Sequence, residues 1–260
     1  MLDLKHVGLF LRDDVEEYPC TNLERLFRRA GIELEVDARN VVGQYDLVIA
    51  LGGDGTVMRA LTAYPEAPVL AVNYGNVGFL TQSDRQDLEK VIVRLLSDDY
   101  FIEERLTLEI QHAGQVYRCI NEMVIKGASH MIEIGMHING RLVHTPRGDG
   151  VIVGTPTGST AYLLSTGAPL VVPDVDCIVL QPLNEYSFSS RAIILPGSAE
   201  VRLAVDFGRE KQVSMVVDGM PQVSISDGDD ILLTRSPTPA RLVCFESDYF
   251  FRNLKERLRW

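Results

Sequence analysis

Residues 47–56, LVIALGGDGT, limit what this chain can fold into more than any other stretch. The five apolar residues 47–51 show no polar alternation, so the strand they form must be buried on both faces. Gly52, Gly53, Asp54 and Gly55 follow, and then Val57, Met58, Ala60 and Leu61 recur at helical spacing with Thr56 placed to cap their helix. A strand buried on both faces that passes straight into a helix belongs in a parallel sheet covered by helices. Neighbouring segments repeat the unit. Strand-like runs at 4–11, 32–36 and 69–72 alternate with helical faces formed by Leu23, Leu26, Phe27 and Ala30, and by Leu88, Val91, Ile92, Leu95 and Leu96.

After residue 100 the pattern changes to strand-length runs separated by turn residues, with Asn139-Gly140 as a hairpin signal and DGDD at 227–230 as an acidic turn tip. The fold expectation is therefore an α/β domain over residues 1–100 and a mainly β domain over 101–240. A tail follows at 241–260, whose amphipathic helix places Phe250, Phe251, Leu254 and Leu258 on one docking face.

Charge and composition exclude several classes. With 36 acidic against 25 basic residues the net charge is −11, which repels a nucleic-acid backbone or an anionic membrane surface. A small anionic ligand remains compatible, because a local pocket of amides and arginines can outweigh the global field. The four cysteines form no CxxC pair, and no apolar run approaches about 18 residues, so a reduced, cytoplasmic protein is expected. His6, His112, His130, His137 and His144 show no metal-ligand spacing and read as strand or surface residues, and no protein metal site is expected.

Three constellations carry chemistry. In GGDGT, Gly52, Gly53 and Gly55 permit positive φ and close approach of backbone N–H groups to an anion at a helix N-terminus. Asp54 opposes that anion: at about 4 Å from a phosphate charge it would be repelled by roughly 4 kcal/mol at an effective dielectric near 20. A bound Mg²⁺, a proton, or a neutral hydroxyl donating to the carboxylate would offset this. The bland alternative is a tight turn with a solvated aspartate. Residues 146–173, PRGDGVIVGTPTGSTAYLLSTGAPLVVP, combine glycines with many hydroxyls, a density suited to a polar ligand close to backbone, with Ser159 capping a short helix; a flexible loop is the alternative. In CINEMVIK, adjacent Asn121 and Glu122 inside an apolar run leave one polar side chain buried and in need of a partner, which an internal hydrogen bond could also supply. Neither GxxxxGK[ST] nor a GxGxxG after the first strand is present.

Taken in order, GGDGT, Asn121-Glu122 and GDGVIVGTPTGSTAYLLSTGAPLVVP resemble the NAD kinase family. The GGDGT motif alone is shared with a wider superfamily that includes diacylglycerol and sphingolipid kinases. GNVGFLT at 75–81 and VDG at 217–219 also look like family segments, so the resemblance spans about residues 45–220. The chain departs from the family pattern at Gly154, where serine or alanine is usual, at Tyr186, where histidine is common, and at Ala192, where proline is common.

The resemblance implies an α/β domain followed by a β-sandwich-like domain, a homodimer or homotetramer, and phosphoryl transfer from ATP or polyphosphate, with Mg²⁺, to the adenosine ribose 2′-hydroxyl of NAD. By that analogy Asp54 is the proton acceptor. Gly55, Phe79, Asn121, Glu122, Asp149, Thr160, Ala161, Tyr162 and Ser165 contact NAD, and Gly53 and Thr56 contact phosphate; Arg147 is expected to contact phosphate as well, a solvated arginine being the alternative. A lipid kinase sharing GGDG, and an NADP-binding sensor without activity, are the competing readings.

Overall fold

The computed structural model describes residues 2–12, 20–36, 44–74, 78–187 and 190–259; Gly75, Asn76 and Val77 of the GNVGFLT segment lie outside the described residues. Two compact units emerge, one formed by Met1–Glu104 with Ala240–Trp260 and the other by Arg105–Pro239.

The first unit is built on a sheet in which Glu33–Val36, His6–Leu11, Leu47–Gly52 and Val69–Asn73 lie side by side in parallel, followed by Ala240–Cys244, parallel to Val69–Asn73, and Phe101–Arg105. Leu47–Gly52 is central, and all six of its residues are buried. Its alternate side chains Leu47, Ile49 and Leu51 join one core with Leu23 and Phe27 of helix Cys20–Arg29 and with Leu88, Ile92 and Leu95 of helix Leu88–Leu96. Period-two alternation sends Val48 and Ala50 to the other face. Covering a parallel sheet on both faces in this way is what its uninterrupted apolar strands require.

Composition changes at residue 100, but the sheet changes later. Phe101–Arg105 and Ala240–Cys244, strand-like runs of the β-rich stretch by sequence, are hydrogen-bonded into the first sheet. The chain then ends in helix Tyr249–Leu258 of the same unit. Its buried face is Tyr249, Phe250, Asn253 and Leu254; of the expected docking residues Phe250 and Leu254 are buried and Leu258 half-buried, whereas Phe251 is 56% exposed.

The second unit is a sandwich of two antiparallel sheets. One runs Arg141–His144, Ile132–Ile138, Val201–Asp206, Asp230–Arg235, Leu108–His112, Gln115–Cys119; the other runs Ile193–Pro196, Cys177–Leu183, Gly150–Gly154, Glu122–Gly127, Val213–Val217, Val223–Ile225. Their facing residues, such as Ile134 and Leu203 from one sheet and Met123, Val151 and Met215 from the other, form a single core. Asn139 (φ 49°) and Gly140 (φ 78°) both occupy the left-handed region required by a two-residue hairpin turn. The DGDD turn is more than a solvated tip: Asp229 accepts from Ser226 N at 2.8 Å and pairs at 2.7 Å with Nε2 of His112, a buried residue.

Candidate functional site

In the first unit, the residue after the central strand, Gly53, caps helix Asp54–Ala63 with extended backbone (φ −96°, ψ −172°). None of Gly52, Gly53 and Gly55 takes positive φ, so the glycines serve space rather than left-handed backbone. A Cβ on Gly52 would collide with the Thr56 side chain, whereas a Cβ on Gly53 or Gly55 would meet nothing within 4 Å. The loop is thus open at the two positions that flank Asp54. Thr56 is the third helical residue, buried against Gly52, and makes no side-chain cap. Its hydroxyl is turned toward Gly52.

Asp54 is half-buried at the helix N-terminus. Its Oδ2 accepts from Phe79 N at 2.9 Å and its Oδ1 from Leu80 N at 3.0 Å. An ionised carboxylate has about four acceptor positions, so each oxygen retains a lone pair. The aligned N–H groups of the helix favour its negative charge. Gly78 is required for this approach, because a Cβ there would fall on Asp54 Oδ1 and lie 2.7 Å from its Cγ. The Phe79 ring is half-buried beneath the Arg257 guanidinium, 5.7 Å from the ring centroid.

In the second unit, Asn121 and Glu122 sit where the chain enters strand Glu122–Gly127. Asp218 holds this entry, accepting from Ile120 N at 2.7 Å, Asn121 N at 2.7 Å and Glu122 N at 3.2 Å, while its own N–H donates to Glu122 O at 3.0 Å. Asp218 adopts φ 49°, the backbone turn that brings its carboxylate over three successive amides. Thr155 fixes the opposite side, with Oγ1 donating to Ile120 O at 2.6 Å and N–H to Asn121 O at 2.9 Å. Gly154, unusual against the family pattern, is explained by contact: a Cβ there would lie 2.6 Å from Leu163 Cδ1 and 2.9 Å from Asn121 O.

Glu122 is the buried member of the pair, 8% exposed, and its Oε2 receives only a long bond, 3.4 Å, from Tyr162 N. Burial, and then the nearby Asp218 charge, push its carboxyl from the ordinary value of 4.5 to about 7. Burial also raises Asp218, against the opposing pull of its three N–H donors. A carboxyl with a raised folded-state pKa favours folding below its unfolded value and loses that contribution as pH rises through the folded one. Relative to a Glu122→Gln variant, the wild type should lose at most roughly 3 kcal/mol of stability between pH 5 and pH 8. Urea denaturation of both proteins at the two pH values checks this, and a constant difference between them contradicts it.

The hydroxyl-rich segment packs over the outer face of its sheet, where Leu163, Ala168 and Val171 join Val124, Ile152 and Val179. Several of its hydroxyls are consumed internally. Ser159, fully buried, donates to Pro156 O at 2.7 Å and accepts from Val171 N at 3.0 Å, and it caps no helix; Thr157 accepts from Arg105 Nη1 at 3.2 Å. The density of hydroxyls that suggested ligand contacts therefore reflects, at these positions, the need to satisfy backbone polar groups in a packed, irregular segment.

Asp149, Tyr162 and Ser165 do line one cleft, of about 830 Å³, together with Lys126, His130 and Asn184. Asn184 Nδ2 donates to Asp149 Oδ2 at 2.7 Å. The wall carrying Ser129 and His130 is held by Glu210, which accepts from both their N–H groups at 2.6 Å and from Lys211 N and Gln212 N; these donors pull its carboxyl down to about 2. Thr160 and Ala161 are half-buried beside the cleft rather than in its lining. Arg147 lies outside it as well, its guanidinium 3.8 Å from Glu133 on an exposed edge; among the described residues, Lys126 is the lysine or arginine that lines the cleft. The roles of Asp218, Asn184 and Lys126 escaped sequence reasoning; the VDG segment around Asp218 was the one available signal.

The chain is similar to known proteins along most of its length. The family model described as ATP-NAD kinase N-terminal domain matches residues 14–100, and ATP-NAD kinase C-terminal domain matches residues 120–245. Among curated relatives, the NAD kinase of Methanopyrus kandleri is 36% identical over 253 residues, covering 91% of this chain and 90% of that protein. The NAD kinase of Citrifermentans bemidjiense is 32% identical over 255 residues, covering 95% and 87%. Among solved structures, yeast NADH kinase complexed with NADH matches with a TM-score of 0.87 at 23% identity, covering 99% of this chain and 88% of that one. An NAD kinase from Archaeoglobus fulgidus in complex with ATP matches with a TM-score of 0.80 at 24% identity, covering 98% of each.

Proposed function

This chain belongs to the NAD kinase family, and on that premise we propose that it phosphorylates the adenosine ribose 2′-hydroxyl of NAD, with ATP or polyphosphate as donor, to form NADP. The observation that carries the mechanism is the Asp54 carboxylate, held by two backbone N–H groups with a lone pair left on each oxygen, between glycines at which a Cβ would meet nothing. Asp54 accepts the proton of the attacking hydroxyl. The hydroxyl oxygen bonds to the terminal phosphorus as the bridge to the leaving phosphate breaks, and the bridging oxygen departs on ADP or the shortened polyphosphate. Mg²⁺ carried on the donor phosphates would supply charge neutralisation there, offsetting the repulsion from Asp54.

Gly53 and Gly55 leave room for donor phosphates at the helix N-terminus, and Phe79 supplies apolar surface. In the second unit Asn121 and Glu122 engage ribose hydroxyls. Asp149, Tyr162 and Ser165, with Thr160 and Ala161 beside them, hold the adenosine. The three described cysteines, Cys119, Cys177 and Cys244, are buried free thiols, which supports a reduced cytoplasmic setting, and assembly as a homodimer or homotetramer accompanies this reading.

Incubating the purified protein with ATP, Mg²⁺ and NAD and measuring NADP tests the activity. Phosphorylation of diacylglycerol in place of NAD would identify a lipid kinase, and NADP binding with no turnover would identify a sensor. Gly78→Ala should lower turnover at least about tenfold with little change in the KM for NAD, since its methyl group displaces the Asp54 carboxylate. Steady-state kinetics of that variant resembling wild type would remove Asp54 from the chemistry.

A further inference from the structure

Asn253 is 3% exposed on a helix face otherwise formed by Tyr249, Phe250 and Leu254. A buried amide among apolar side chains is unfavourable unless its polar atoms are bonded. Its Nδ2 donates to Thr81 O at 3.0 Å and, at longer range, to Phe79 O at 3.5 Å. One helical turn on, Arg257 covers the Phe79 ring. The helix therefore grips the outer side of the turn whose inner side, Phe79 N and Leu80 N, binds Asp54.

Phe79 C=O and Leu80 N–H are the two ends of one planar peptide unit. Asn253 holds the first and Asp54 Oδ1 the second. Rotation of that plane would break both bonds, so restraining the carbonyl end restrains the N–H end. Fixation at Thr81 O, through the shorter bond, limits drift of the turn as a whole.

We propose that Asn253 is a positioning residue for Asp54, through which the C-terminal helix sets the aim of the catalytic carboxylate. The inference deepens the kinase reading and rests on it for its effect on rate, but the placement of the two amides can be measured without any activity. It draws on a residue with no motif around it, 199 positions from Asp54 along the chain.

The test uses full-length Asn253→Leu, which keeps approximate volume and removes both donors, with Asn253→Ala as a second variant lacking the same donors without added bulk. Amide hydrogen exchange in the ligand-free protein should quicken about tenfold at Phe79 and Leu80, while the central amides of Leu47–Gly52 stay unchanged. The turnover number per folded molecule should fall about tenfold, with the KM for NAD within twofold. Unchanged exchange at Phe79 and Leu80 in both variants overturns the proposal, as does faster exchange with unaltered turnover. If wild-type protein forms no NADP, the kinase reading fails by itself, and the exchange result alone decides whether Asn253 positions Asp54.

Discussion

Asp54→Asn is expected to lower turnover by about 10²-fold or more while NAD binding stays within about threefold of wild type. The substitution keeps the shape of the side chain and the helix N-terminus beneath it. It removes the proposed acceptor of the hydroxyl proton. It also sets an amide NH₂ against one of two backbone donors, Phe79 N or Leu80 N, where Asp54 presents an acceptor to each. Melting temperature and NAD titration separate a loss of chemistry from a loss of fold. Turnover close to wild type in a folded Asp54→Asn protein would require another proton acceptor and would end the proposed mechanism.

The second large effect is expected at Asp218. In Asp218→Ala, Ile120 N, Asn121 N and Glu122 N lose their common acceptor at the entry to a central strand of the sandwich. A buried donor left unsatisfied costs about 1–3 kcal/mol, so a loss of roughly 3 kcal/mol or more is expected. For a chain of this size that corresponds to about 6–12 °C in melting temperature. The Glu122 carboxyl, relieved of a neighbouring negative charge, should titrate lower in the same variant. Asp218→Asn keeps one acceptor oxygen and should be milder. A melting temperature for Asp218→Ala within about 2 °C of wild type would show that the three amides find other partners.

Glu122 and Asp54 illustrate how far the chain could be read in advance. Two polar residues abutting an apolar strand predict that one side chain is buried, and Glu122 is that one. Which group would meet the backbone at this point was not readable, because Asp218 is 96 residues away and comes near only when Val213–Val217 pairs with Glu122–Gly127. At GGDGT the sequence pointed to a strand, a glycine loop open to an anion and a helix. Of its two reasons for the glycines, positive φ fails, since none of the three adopts it; the other, room beside the backbone, fits the open space at Gly53 and Gly55, while Gly52 is held by its contact with Thr56.

The hydroxyl-rich segment shows the same limit from the other side. In the one-dimensional pattern Ser159 reads as a helix cap and Thr157 as one of a dense set of hydroxyls suited to a ligand, and in the fold they satisfy carbonyls and a guanidinium inside the protein. The C-terminal helix was visible from its apolar spacing, but Asn253 was not, because a polar residue on an apolar face earns meaning only from the carbonyls it reaches.

Local order, then, was determined by the chain itself: apolar runs of period two and period 3.6 follow from backbone geometry and burial, which act over a few residues. The aim of the Asp54 and Glu122 carboxylates was decided by tertiary structure. Hydrogen bonds and excluded volume act over about 3 Å, and the residues that Asp54 and Glu122 meet at that range are supplied by distant parts of the sequence.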